Sequence, residues 1–490
     1  MSYLSNSTVT GLTARGIRTP QYDRGRVELG IVHFGPGAFH RAHQAYYVDE
    51  ALHSDPRWGI CEVALQSMGV RDALAPQDGL YTIAILDKEP GYRVIGSIYE
   101  LLVARESPQA VIARLVDPAV KLVTATITEK GYCLRPDGGL DLAHPDIQHD
   151  LAHPDAPRTL IGYLAYALGQ RRARGIAPPN VVSCDNLADN GERLCRAVVE
   201  LAAHTDAALA KWIEANVPFP CTMVDSITPA TDDALRTRVA EALGVEDRWP
   251  VQREAFCQWV IEDALVGPQP NWSALGVTVT SDVAAFERAK LRILNGAHST
   301  LAYVGSLAGL ATVYEAVSQP ALNAFIERLM REDFRASLEE APGLDLDRYI
   351  EQVLARFRNP AIRHLLAQIA WDGSQKLPFR ILNTMGETRA AGRSIERLCV
   401  PVAAWLHFVR RKASAGEAIT DPMAERLNEL GRACSGEAAH DVALLLSLER
   451  FWPETLVGDA VVRSALVRAY ERLRALETPQ DLATVFDGTL

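Results

Sequence analysis

VELGIVHF (residues 27–34) runs directly into Gly35-Pro36-Gly37 and then into AFHRAHQAYYVDEAL (38–52). The first eight residues are a nearly continuous apolar run, as expected of a strand buried on both faces. The spacing after the glycines is helical. Strand, glycine turn and helix is how a dinucleotide-binding unit opens: glycine lets the backbone approach a pyrophosphate, and the helix N-terminus supplies N–H groups. Position 40 is His, where the fingerprint has its third glycine. Tight turns also use glycine for its φ range alone, so on this stretch the cofactor loop and the plain turn both stand. The cofactor reading assigns Phe34, Gly35, Gly37, Ala38 and Phe39 to the loop.

Working outward, Ile60 to Leu65 (ICEVAL) reads as a second strand, ending at Gln66-Ser67. An acidic residue there would bind the ribose hydroxyls of NAD. Here an amide and a hydroxyl take its place, and Arg71 follows, which can meet a 2′-phosphate or simply face solvent; NAD and NADP both stay open. YTIAILD (81–87) and YRVIGSIYEL (92–101), separated by KEPG, predict an antiparallel hairpin inserted in the parallel plan. KLVTATI (121–127) is another buried strand, followed by Thr128, Glu129 and Lys130. Ligands of open α/β sheets bind past the carboxyl ends of strands, which places Glu129 and Lys130 to line a cleft or to pair as loop ions. Residues 135–158 read as a long loop, 160–174 and 191–207 as helices, and 180–184, 219–227 and 255–263 as strands. Asn186 and Asp225 follow or end two of these runs. Residues 1–25 read as a polar arm on the surface.

At 490 residues, two domains are expected. A net charge of −11 argues against nucleic-acid binding as the main function. The eight cysteines include no CxxC pair and no zinc-type spacing, and several lie in apolar runs. This predicts a reducing, cytoplasmic compartment and no structural metal. No segment reads as a signal peptide or membrane span.

Beyond about residue 286, helical periodicity dominates to the end. Where it begins stands KLRILNGAH (290–298). On an α-helix Asn295 lies roughly 140° round from Lys290, and His298 returns to within roughly 80°. A neutral lysine takes a proton from an alcohol, an amide N–H holds a developing oxyanion, and a histidine fixes the lysine or the hydroxyl. The same three residues also fit surface, cap and core positions. WDGSQKLPFR (371–380) puts Lys376 and Arg380 in a turn before a helix, either a solvated basic loop or an anion clamp.

FGPGAFHRAH (34–43), QDGLYT (77–82), TITEKGYC (126–133), SCDN (183–186), FPCTMVDSITP (219–229), QWVIED (258–263) and FERAKLRILNGAHS (286–299) together resemble the long-chain mannitol dehydrogenase family over nearly the whole chain. TEKGYC, the SCDN context and IAWDGSQKLP (369–378) are most similar to its fructuronate reductase (mannonate oxidoreductase) branch. The resemblance implies an α/β class: a Rossmann-like domain over 1–286 with the inserted hairpin, and a mainly helical substrate domain over 287–490. It implies a metal-independent site between them. It makes Lys290 the general acid/base, Asn186 and Asn295 the oxyanion hole, and His298 a contact of the reacting hydroxyl. Glu287 matches a residue of proton exchange with solvent, and Asp225 a substrate-hydroxyl contact. Gln66, Ser67, Thr128 and Glu129 complete the cofactor set. Gln66-Ser67 departs from the acidic NAD-selecting pair of the mannitol enzymes.

The implied reaction is hydride transfer between nicotinamide and C2 of an open-chain sugar. For the oxidising direction the lysine pKa, about 10.4 unperturbed, must fall through burial and nearby positive charge such as Lys130. A buried carboxylate without cations costs several kcal/mol. Lys130, Lys376 and Arg380 are spare cations, which favours a sugar acid (D-fructuronate/D-mannonate). The alternative is a mannitol or arabinitol 2-dehydrogenase acting on an uncharged polyol. A nucleotide-binding regulator that keeps the fold without the chemistry is the non-enzyme alternative. The expected partner is a small sugar acid or polyol, with no nucleic acid or membrane, and the chain is expected to be a monomer or small homo-oligomer.

Overall fold

The run VELGIVHF forms a central parallel strand, and a sheet builds outward from it. The structure, a computed structural model, describes residues 2–87 and 89–487. The chain divides into two units, Met1–Ala284 and Ala285–Leu490. In chain order the strands of the first unit are β1 (Leu29–Phe34), β2 (Gly59–Ala64), β3 (Tyr81–Leu86), β4 (Gly91–Ile95), β5 (Ile98–Val103), β6 (Leu122–Ala125), β7 (Asn180–Ser183), β8 (Thr222–Asp225), β9 (Val251–Glu254), β10 (Gln258–Glu262) and β11 (Thr278–Thr280).

The main sheet has the order β5-β2-β1-β6-β7, all parallel. The order reverses between β1 and β6, which makes their carboxyl ends the topological switch point where a crevice opens. Both faces are covered. Val32, Phe34, Val63 and Val123 pack under helices that include Leu160–Ala173 and Asn190–Thr205. Ile31, Ile60 and Leu122 pack under helix Gln44–Ala51. Burial on both sides is why these strands read as apolar runs without alternation. Two three-stranded sheets complete the unit, β11-β10-β8 and β4-β3-β9.

The second unit is helical. Helix Glu396–Ala415 packs against Ala297–Leu307, Ala424–Ala433 and Ala460–Leu473. Among its described residues three segments are π-helical: Lys290–Gly296, Leu329–Phe334 and Pro378–Leu382. Among the described residues no helix is long and apolar enough to cross a membrane.

Several expectations need correcting. The N-terminal arm is part of the core: Leu4, Val9, Leu12 and Ile17 are buried with Leu80, Val94 and Leu235. Scattered apolar residues in a polar stretch were enough to anchor it. YRVIGSIYEL is two strands. It bends at Gly96-Ser97, where the Gly96 amide donates to Asp49 (2.9 Å) and the Ser97 hydroxyl to the Ala45 carbonyl (2.9 Å). β4 pairs antiparallel with β3, whereas β5 joins the main sheet beside β2. Lys88 of the KEPG turn lies outside the described residues. The loop 135–158 contains a helix, Pro145–Ala152, started by Pro145 at its first turn. β9 (VQRE) carries no apolar signal after Val251, because its next three residues are polar, yet all four are buried. WDGSQKLPFR is helical through Lys376 and Arg380, as Gly373–Leu377 followed by the π-segment at Pro378. Proline has no N–H for the i→i−4 ladder, and a widened turn absorbs the break.

Candidate active site

In the first unit the loops leaving β1 and β6 are locked together. Thr126 N donates to the Phe34 carbonyl (2.8 Å), Thr126 Oγ1 donates to the Gly35 carbonyl (2.8 Å), and Gly35 N donates to the Val63 carbonyl (3.0 Å). Gly35 has φ +97°, and a Cβ there would lie 2.1 Å from the Thr126 carbonyl oxygen, so no other residue fits. Gly37 is exposed and caps helix Ala38–Ala42, and a Cβ there would meet only the Gly35 carbonyl oxygen, at 3.9 Å. Ala38 and Phe39 are half-buried beside it, and the Phe39 ring stacks on His43 (4.9 Å).

His40, the residue in place of the third glycine, is fully buried. Its ring stacks on His33 of β1 at 3.3 Å and 14°, so an imidazole pair sets the helix-to-strand approach that glycine sets elsewhere. His40 Nε2 lies 2.8 Å from Glu62 Oε1, and His33 Nδ1 bonds Thr124 Oγ1 (2.7 Å). Burial pushes Glu62 up to about 7 and His40 down to about 3. The pair is therefore uncharged between about pH 3 and about pH 7. His33, His40 and Glu62 were not singled out from the sequence. The available signal was a glutamate and a histidine inside otherwise apolar strands.

Past β6, Thr128 has φ +64° and ψ 163°, a region that β-branched residues avoid. Asp185 holds it there, accepting from Thr128 N (2.8 Å), Ile127 N (3.0 Å) and the Tyr132 hydroxyl (2.8 Å). Tyr132 also bonds Ser183. Asp185 too went unread, although it stands in the SCDN motif. Glu129 and Lys130 follow in a short 3-10 turn, both exposed. Gln66 and Ser67 are exposed past β2, and Ser67 Oγ accepts from Gly69 N (3.3 Å). Arg71 is engaged by Asp72 (2.8 Å) and by Glu106. Asn186 is exposed past β7, and Asp225 is buried at the end of β8 opposite Gln258.

In the second unit, Lys290–Gly296 is one π-turn between helices Val283–Ala289 and Ala297–Leu307. The α-helical angles expected for this stretch are therefore wrong. A π-helix has about 4.4 residues per turn, which brings Asn295 to about 50° from the line of Lys290 rather than the roughly 140° of an α-helix. Glu287, half-buried, is one turn before the lysine. Lys290 and His298 are buried, and Ile293 and Leu294 anchor the turn in the core. Arg292 is clamped by Glu387 in two bonds of 2.6 Å and by the Ser337 carbonyl.

The three π-segments meet at Gly296. A Cβ there would lie 2.7 Å from Phe334 Cζ and 3.2 Å from the Arg380 carbonyl oxygen. Arg380 Nη1 donates to Ser299 Oγ (3.1 Å) and, at the limit of bonding, to the Asn295 carbonyl (3.5 Å). Burial lowers its pKa to about 10, and among the described residues no carboxylate lies within ion-pair distance of it. Lys376, in contrast, has Asp372 at 4.0 Å one turn away.

The fold coincides with that of known proteins. The Mannitol dehydrogenase Rossmann domain model matches residues 29–274, and the Mannitol dehydrogenase C-terminal domain model matches residues 282–474. The chain belongs to the mannitol dehydrogenase family. It is thus an oxidoreductase of the class acting on CH–OH groups. It is 40% identical over 466 residues to the D-mannonate oxidoreductase of Escherichia coli K12, covering 93% of this chain and 96% of that protein. It is 39% identical over 473 residues to a mannitol 2-dehydrogenase of Aspergillus fumigatus, covering 93% of each. Among solved mannitol dehydrogenase structures, the Pseudomonas fluorescens mannitol 2-dehydrogenase in ternary complex with NAD and D-mannitol matches with TM-score 0.80 and 38% identity over 99% of each chain. A substrate-free D-sorbitol dehydrogenase matches with TM-score 0.91 and 30% identity, covering 98% of this chain and all of the other.

Proposed function

We propose that this protein is an NAD-dependent D-mannonate oxidoreductase, interconverting D-fructuronate and D-mannonate. The observation that carries the reading is the π-turn Lys290–Gly296, which turns an asparagine toward the face of a buried lysine, together with an arginine that has no carboxylate partner among the described residues. In this reading residues 1–286 bind the dinucleotide and residues 287–490 supply most of the substrate site.

The glycine turn fits a pyrophosphate: Gly37 is open, and the crevice lies at the sheet's switch point. Phe34, Gly35, Gly37, Ala38 and Phe39 would hold it, with Gln66 and Ser67 on the ribose and Thr128 and Glu129 on the nicotinamide side. NAD(H), when bound, supplies or accepts the hydride at C2 of the sugar. NAD is favoured over NADP because Arg71, the nearest candidate for a 2′-phosphate, already holds Glu106 and Asp72.

Lys290 gives its proton to the oxygen at C2 in reduction and removes it in oxidation. Asn186 and Asn295 donate to that oxygen, each contributing roughly 3–4 kcal/mol in a dry site. His298 orients the hydroxyl, Glu287 passes the proton to solvent, and Asp225 accepts from a distal sugar hydroxyl. Arg380 meets the carboxylate, with Lys130 and Lys376 as weaker contributors. A second reading, a mannitol or arabinitol 2-dehydrogenase, draws on the near-equal identity to mannitol 2-dehydrogenases and on Lys376 being already paired. The eight unpaired cysteines fit a reducing cytoplasm, and the proposed assembly is a monomer or small homo-oligomer.

The test supplies fructuronate and fructose separately with NADH. The expected result is a kcat/KM for fructuronate at least about tenfold higher, the value of one well-placed ionic hydrogen bond. Equal or faster reduction of fructose refutes the carboxylate reading. Lys290→Ala should lose several orders of magnitude in turnover while retaining NADH binding.

A further inference from the structure

Around His298 the second unit gathers more nitrogen donors and positive charge than an uncharged sugar needs. The His364 ring stands edge-on to His298 at 5.0 Å, and Phe357 closes the other side at 4.7 Å. His364 Nδ1 and His298 Nε2 are both buried, and neither has a hydrogen-bond partner among the described residues. A buried polar atom left unbonded costs about 1–3 kcal/mol, so its retention needs a reason. The backbone around His364 is anchored independently: its carbonyl accepts from Val313 N (3.0 Å), and Leu366 N donates to the Ala311 carbonyl (3.0 Å). The backbone that carries the ring is therefore held without any bond to Nδ1. Arg380 is close enough to His298 for its charge to act on the ring, and it is bonded to the neighbouring Ser299 (3.1 Å).

We propose that His364 is a specificity-determining residue. Its Nδ1–H and the Arg380 guanidinium together receive the substrate carboxylate, and this pairing separates a sugar acid from an uncharged ketose. The inference rests on the sugar-acid reading above and goes beyond it by naming the residue that makes the choice. The chemistry is consistent. Burial and the Arg356 charge lower the His364 pKa, and burial with His364, Arg356 and Arg380 lowers that of His298. Both rings are thus neutral near pH 7, each with one N–H donor and one acceptor. A neutral donor beside an arginine suits the two oxygens of one carboxylate. An uncharged sugar terminus would leave the guanidinium without its anion, the kind of mismatch on which hydrogen-bonding sites discriminate strongly.

The experiment measures kcat/KM for fructuronate and for fructose, with NADH, in the wild type, His364→Leu and His364→Gln, alongside each protein's thermal midpoint. The expected result is a fall of about 30-fold or more in the fructuronate-to-fructose ratio for H364L, with part of the ratio restored in H364Q, whose amide is again a donor. A purely structural role would lower both substrates together and leave the ratio unmoved, which overturns the inference. A wild type that prefers fructuronate while H364L keeps the same preference overturns this inference alone. A wild type that reduces fructose as readily as fructuronate overturns the reading beneath it as well.

Discussion

Gly296→Ala is the sharpest probe of how the second unit holds its reactive groups. The added methyl would sit 2.7 Å from Phe334 Cζ, 3.0 Å from Phe334 Cε2 and 3.2 Å from the Arg380 carbonyl oxygen. Carbon–carbon contacts are favourable from about 3.5 Å, so the ring must retreat by close to 0.8 Å. Phe334 is fully buried and has nowhere to swing, so the strain passes to the backbone of all three π-segments. Overpacking of this kind costs about 1–3 kcal/mol, which for a unit of this size lowers the thermal midpoint by about 2–4 °C per kcal/mol. Asn295 and Arg380 move with the backbone. A misplacement of about 1 Å at a reacting centre can lower turnover about 100-fold. The assay is kcat under saturating substrate, followed by NADH absorbance, together with NADH affinity by fluorescence and the midpoint by calorimetry. The expected pattern is a lower midpoint, a kcat reduced tenfold or more (about 10–100-fold) and unchanged NADH affinity. A lowered midpoint with wild-type kcat would show that the lysine and asparagine do not depend on this convergence, and the argument from the π-turn would fall.

Asp185→Asn keeps one acceptor oxygen but replaces the other with a donor facing N–H and O–H groups; a stability loss of about 1–3 kcal/mol and weaker NADH binding are expected, and unaltered urea unfolding would refute the role assigned to the Thr128 strain. Glu106→Ala releases one of the two acids on Arg71, so the NADPH-to-NADH ratio of kcat/KM should rise several-fold, and no change would mean Arg71 lies out of reach of the ribose. His407 Nε2 donates to the Tyr470 carbonyl (2.9 Å), and burial lowers its pKa to about 4. A depressed histidine stabilises above its unfolded pKa of about 6.5 and loses that stability as pH falls toward 4, up to about 3 kcal/mol. Urea unfolding at about pH 7 and about pH 4.5 should therefore show the wild type losing more than His407→Gln, and equal losses would refute it.

The parts of this protein legible in its sequence are those governed by local chemistry. A parallel strand buried on both faces must be apolar throughout, so VELGIVHF, ICEVAL and KLVTATI could be placed, as could the glycine turn after the first. Segments whose burial depends on distant partners were less legible. The N-terminal arm carries only four core residues, and β9 is a buried strand of polar side chains. Gly96 turns one apparent strand into two because Asp49 accepts its amide, a contact that no window around residue 96 contains.

The site divides the same way. Lys290, Asn295 and His298 were visible as a spacing, and the resemblance to the mannitol dehydrogenases named their chemistry. Sequence alone determined which groups are present and that strand, glycine and helix would alternate around them. Tertiary structure alone decided that Asn295 turns toward the line of Lys290, that His40 stacks on His33 beneath the glycine turn, and that His364 stands beside His298. A helix of this composition is α-helical by local preference. The wider i→i+5 turn stands where Gly296 meets Phe334 and the Arg380 carbonyl of two other π-segments, contacts that no local preference encodes.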